Sequence, residues 1–117
     1  MGLRWLRRRP RPGTPRLHDD EDARHLADFA STREGVEGFV EPRTTVTEPT
    51  MVLVALDGEW TRRRIPSAQW AHDFARKQGI ASYDAAVSGY PSRMREWNRR
   101  RSQERKRFDV PDDLSGF

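Results

Sequence analysis

Residues 92–108, SRMREWNRRRSQERKRF, hold eight basic side chains against two acids, with Trp97 and Phe108 interleaved. Guanidinium groups clamp phosphate oxygens through paired N–H donors and stack on flat rings, and a basic helix can follow a nucleic-acid backbone. Arg95, Arg99, Arg100, Arg101, Arg105, Lys106 and Arg107 are therefore the candidate phosphate contacts. A second basic group lies in EWTRRRIPS, residues 59–67. Side chains alternate along a strand, so Arg62 and Arg64 share the face of Trp60 and Arg63 opposes them. Taken alone this triplet reads as a solvated strand face; beside the basic helix, Arg62 and Arg64 extend its surface. Arg4, Arg7, Arg8 and Arg9 form a further basic arm at the N-terminus.

Other chemistries find little support. The chain has no cysteine, which excludes disulfides, thiol catalysis and thiolate zinc sites. His18, His25 and His72 do not assemble a ligand set by spacing: Asp22 and His25 fall i, i+3 on a candidate helix, and His72-Asp73 reads as a solvated pair. Gly35-Val36-Glu37-Gly38 puts a carboxylate where a dinucleotide phosphate, or the backbone gripped by a KH loop, would approach. Residues 73–89 fit a helix-turn-helix turn, but the would-be recognition helix, 82–88, carries no base and one acid, Asp84. No catalytic residue, metal site or cofactor is assigned, and an enzyme is the less favoured class.

The chain of 117 residues supports one domain, with hydrophobic and charged residues each 34% of the total. Part of such a chain cannot bury enough apolar surface to offset its ordering entropy. The net charge of +4 hides segregation: residues 1–16 carry six arginines and no acid, 17–34 carry six acids and two bases, and 109–117 carry three acids and no base. Basic blocks of this kind act as arms for polyanions. No apolar run approaches the roughly 18 residues of a membrane span, and the N-terminus lacks a signal peptide's apolar stretch. A cytoplasmic protein without membrane contact is expected. Lys77 and Lys106 are the sole lysines among 22 basic residues, an arginine bias in keeping with a GC-rich genome.

These residues must be positioned by a small α+β fold. The apolar run 50–56, the dipeptide Asp57-Gly58 and the return 59–65 predict a β-hairpin closed by a two-residue I′ turn and ended by Pro66. That turn pairs Ala55 with Trp60, Leu53 with Arg62 and Met51 with Arg64, leaving Val52, Val54, Thr61, Arg63 and Ile65 as the core face. Ser67 caps a helix running to Gln78, with Trp70, Ala71, Phe74 and Ala75 on its buried stripe and Gly79 and Ile80 in a Schellman ending. Residues 81–87 fit a short strand or a short helix. A last helix begins near Ser92, with Tyr90, Met94 and Trp97 facing inward. Upstream, Ala23, Leu26, Ala27 and Ala30 fit a weak helix, and 34–40 an edge strand. The expected organisation is a charged arm (1–34), largely disordered or weakly helical; a hairpin packed against a helix (35–97); and a basic helical extension with an acidic tail (98–117).

Three stretches, GVEGFVEP (35–42), DGEWTRRR (57–64) and GYPSRMREWNRR (89–100), together resemble a group of short actinobacterial proteins of unknown function, many labelled "oxidoreductase". The resemblance covers roughly residues 35–101. It implies an actinobacterial origin and leaves mechanism open. Two functional expectations stand ahead of the oxidoreductase label. One is a binding protein whose arms contact RNA or DNA phosphates non-specifically, within a larger particle such as the ribosome. The other is a protein-interaction adaptor using the Trp60 face and the tail DVPDDLSGF.

Overall fold

The computed structural model describes the backbone of residues 20–115 and the side chains of residues 20–106. In order it contains α1 (Asp20–Thr32), β1 (Glu37–Glu41), β2 (Thr50–Val54), β3 (Trp60–Arg64), α2 (Ala68–Gln78), β4 (Ala81–Asp84), α3 (Ala85–Ser88) and α4 (Ser92–Ser115). The four strands form one mixed sheet of order β3-β2-β1-β4, so the fold is α+β as expected. β1, β2 and β3 run antiparallel, whereas β4 lies parallel to β1. A parallel pairing needs a crossover, and α2 provides it.

Both faces of the sheet are covered. On one, Val40, Met51 and Leu53 meet Leu26 and Phe29 of α1 and Ala71, Phe74 and Ala75 of α2. On the other, Phe39, Val52 and Val54 meet Ala85, Met94 and the half-buried Tyr90 and Trp60. At about 25 cal/mol per Å² of apolar surface buried, these two layers supply the main drive for folding. Strands β1 and β2 are sandwiched between them. Glu34 to Val40, expected as an edge strand, is thus in part the interior strand β1. Gly38 suits that position, because a Cβ there would come within 2.7 Å of the Met51 methyl. α1 is thirteen residues long and completely buries Leu26, so residues 20–32 pack with the body rather than forming part of a loose arm. The basic block 1–16 and the acidic tail's side chains lie outside the described residues.

The local signals around α2 hold. The Ser67 hydroxyl accepts from the Trp70 N–H at 3.1 Å. Gly79 (φ 73°) donates to the Arg76 carbonyl, and the Ile80 N–H reaches the Ala75 carbonyl at 2.9 Å, closing the Schellman ending. Residues 81–84 are strand and only 85–88 are helical, with Asp84 as the cap. No recognition helix follows α2.

The hairpin register differs from the expected one by a single residue. Trp60 lies opposite Val54, Arg62 opposite Val52 and Arg63 opposite Met51. An I′ turn requires positive φ at both Asp57 and Gly58, but among the described residues positive φ is confined to glycine, with Gly58 at 97°. The loop is instead the three residues Leu56, Asp57 and Gly58. The Gly58 N–H donates to the Ala55 carbonyl at 2.9 Å and the Ala55 N–H to the Glu59 carbonyl at 2.8 Å. That is a type I turn followed by a glycine bulge, and its one extra residue shifts every pairing by one. Val52 and Val54 therefore share the face of Trp60, Arg62 and Arg64, while Met51 and Leu53 share the face of Thr61 and Arg63.

Gly58 also lies directly against α4. A Cβ there would sit 2.1 Å from the Arg93 carbonyl oxygen and 2.8 Å from the Trp97 Cβ, whereas nothing lies within 4 Å of the Cβ position at Gly79. Gly79→Ala is expected to cost about 1–2 kcal/mol, the strain of a left-handed backbone alone. Gly58→Ala is expected to cost distinctly more, about 3 kcal/mol or above, because α4 must move as well. Urea unfolding of the two variants measures the difference. Equal losses would show that the hairpin loop and α4 are not in contact.

Candidate nucleic-acid interface

Sequence dictates where α4 is anchored and where it is not. Its first two turns contain the apolar Met94 and Trp97, whereas no apolar residue occurs between Asn98 and Arg107. Met94 is buried against the sheet. The Arg93 guanidinium donates from Nε to the Ala55 carbonyl at 2.8 Å and from Nη2 to Glu37 at 2.8 Å. The Trp60 indole N–H donates to the Asn98 side-chain oxygen at 2.8 Å, and Arg100 donates to the Asp57 carbonyl at 3.0 Å. Beyond Arg100, among the described residues, no hydrogen bond or ion pair joins α4 to the sheet or to another helix.

The structure places the basic side chains expected at the site in different settings. Arg95, Arg101, Arg105 and Lys106 are exposed and form no ion pair among the described residues. Arg99 pairs with Glu96 one turn earlier, and Arg100 and Arg101 lie over the Trp97 ring at 5.8 and 5.7 Å. The Arg107 side chain lies outside those described. Arg62 and Arg64 are on β3, away from the distal part of α4. Arg62 is engaged: its Nε and Nη2 donate to the two Glu41 oxygens at 2.9 and 3.0 Å, and it lies 5.3 Å from the Trp60 ring centre. Arg64 is exposed at the strand end and makes no ion pair among the described residues. Arg63, on the opposite face, lies 3.4 Å from Asp22.

The Glu41 cluster carries no local sequence signal. Glu41 accepts two hydrogen bonds from Arg62 and one each from the Thr50 and Tyr90 hydroxyls. Burial pushes its carboxyl up, but the hydrogen bonds from Arg62, Thr50 and Tyr90 and the Arg62 charge outweigh this and hold it below its ordinary range. The Tyr90 phenol is pushed up, first by burial and then by donating to that carboxylate. An open cleft of about 630 Å³ adjoins the cluster, lined in part by Thr44, Thr47, Thr50, Arg62 and Tyr90. With four donors already on Glu41, the carboxylate has no lone pair left over for a ligand in that cleft.

Positions suggestive of other chemistry have structural partners. Gly35 (φ 62°) turns the chain into β1, Gly38 makes room for Met51, and Glu37 between them holds Arg93. His25 shares a hydrogen bond of 2.7 Å with Thr61, and His72 one of 2.6 Å with Ser82. Among the described residues no group of three or more His, Asp or Glu is placed to hold a metal ion. No helix there is long and apolar enough to cross a membrane. Comparison of the chain with protein-family models, with curated proteins and with solved structures finds no match.

Two pH dependences follow from these environments. Because Glu41's carboxyl titrates below its ordinary 4.5 in the fold, its stabilisation is complete above that value and is lost as pH falls through the folded value. Glu41→Gln is expected to cost about 2 kcal/mol near neutral pH and to lose that part of the acid dependence, measured by urea unfolding from about pH 6 downward. A variant with unchanged acid dependence would contradict the cluster. His25 titrates below its ordinary 6.5, through burial and then the charge of Arg63. It contributes no pH dependence well above 6.5 and destabilises the fold as pH drops through 6.5 toward the folded value. His25→Gln is expected to flatten the stability profile in that window and nowhere else.

Proposed function

We propose that this protein is a small nucleic-acid-binding protein whose α4 contacts RNA or DNA phosphates without reading sequence. The observation that carries this reading is the division of α4: a root fixed to the sheet by Arg93, Met94 and Asn98, then a distal part whose Arg101, Arg105 and Lys106 have no internal carboxylate partner among the described residues. Several cations of the body are instead paired across elements, Arg33 with Glu59, Arg62 with Glu41 and Arg93 with Glu37, although Arg64 has no ion pair among the described residues. Counterion release from phosphates gives such an arm its affinity, and binding then weakens as salt rises. Support for the adaptor reading is thinner, since the Trp60 indole is held by Asn98 and its ring lies beside Arg62. The oxidoreductase reading gains no residues, because the glycines that would form a cradle serve the turn into β1 and the packing of Met51.

Fluorescence anisotropy with labelled mixed-sequence DNA and RNA, titrated from about 50 to 200 mM salt, tests the proposal. With about four phosphates neutralised, the log–log slope on duplex DNA is expected near −4. The triple variant Arg101→Gln, Arg105→Gln, Lys106→Gln is expected to remove about three units of that slope while leaving the unfolding midpoint unchanged. Arg62→Gln is expected to do the reverse, lowering stability with little effect on the slope. A salt-insensitive interaction, or no interaction with either nucleic acid, would overturn the proposal.

A further inference from the structure

Resting on the phosphate-binding reading of α4, we infer that its distal part is built to enter the major groove of duplex DNA rather than to lie along a single strand or on an RNA duplex. The first observation is the angular spread of charge. At 100° per residue, Arg101 and Arg105, unpaired among the described residues, lie about 40° apart on one side and Lys106 about 100° further round on another, with Arg99, paired to Glu96, close to Lys106. A helix charged along one stripe suits a flat row of phosphates. Charge on several sides suits a channel with an anionic wall on either hand.

The second observation is the absence of a base platform on this part of the helix. Single-strand binders stack successive bases on aromatic rings. Residues 98–107 contain no aromatic residue, and Trp97 is half-buried beneath Arg100 and Arg101. The same residues contain nothing apolar, so this length of helix has no face to sink into a lipid bilayer.

The third is clearance. Among the described residues the ties between α4 and the body end at Arg100 and Asp57, and the basic stretch 101–107 follows before the first acid of the tail, Asp109. At 1.5 Å per residue that stretch is about 10 Å of helix. A helix with side chains is about 10–12 Å across, matching a B-form major groove about 12 Å wide, whereas the deep, narrow major groove of A-form RNA does not admit it. The hairpin loop at Asp57 and Gly58 would then rest at the lip of the groove and limit insertion.

The test compares duplex DNA, duplex RNA and single-stranded DNA of one length and sequence at one salt concentration, using the full chain. Duplex DNA is expected to bind tighter than the other two by on the order of tenfold. A duplex whose cytosines carry glucosylated hydroxymethyl groups, which fill the major groove, is expected to bind on the order of tenfold more weakly, while the minor-groove ligand netropsin leaves binding unchanged. Equal affinity for all three nucleic acids, indifference to glucosylation, or comparable binding to phosphatidylserine-containing vesicles would overturn the groove inference and leave the phosphate-binding reading standing. Absence of binding to every nucleic acid would overturn both.

Discussion

The close approach of Gly58 to the Arg93 carbonyl is the constraint on which the direction of α4 depends. No side chain fits between the hairpin loop and the helix at that point. Because the loop can come this near, the Arg93 guanidinium reaches past it to the end of β2 and to Glu37 on β1, tying the root of α4 to the two interior strands. Trp60 and Asn98, and Asp57 and Arg100, add ties on the loop side of the same junction. The helix is thus fixed over its first two to three turns, and its charged remainder is aimed by the body.

Charge pairing follows the same division. Arg33, Arg62, Arg63 and Arg93 each meet a carboxylate contributed by a different element, so they join parts of the body. Such pairs are at least partly exposed and individually modest in energy, but two-point guanidinium–carboxylate contacts such as Arg62–Glu41 fix geometry well. The arginine triplet of β3 also has a role that needs no ligand. β3 is an edge strand, and charged side chains along an edge oppose the addition of a foreign strand.

Much of this was legible in the sequence where the signal is local. Ser67, Gly79 and the Ala71/Phe74/Ala75 stripe define α2 because caps and periodicity act over a few residues. The inward stripe Tyr90, Met94, Trp97 and the basic composition after Asn98 were readable in the same way. The hairpin register was not, because Asp57-Gly58 serves both an I′ turn and a type I turn with a bulge; the choice rests on φ at Asp57, and Leu56 leaves the strand by donating to the Glu34 carbonyl at 2.8 Å. The Glu41 cluster was illegible for a related reason. Tyr90 and Glu41 are 49 residues apart, and only the placement of β1 between β2 and β4 brings them together. The same non-local pairing turns an expected edge strand into an interior one.

The central proposal is that the distal part of α4 is the contact surface and that Arg62, held by Glu41, is not part of it. Backbone and guanidinium nitrogen shifts, followed by NMR as duplex DNA is titrated into the labelled protein, test it most directly. The account predicts shifts concentrated at Arg101, Arg105 and Lys106, with Arg62 and the Tyr90 cleft unmoved. Shifts centred on β3 or on that cleft, with α4 silent, would contradict it.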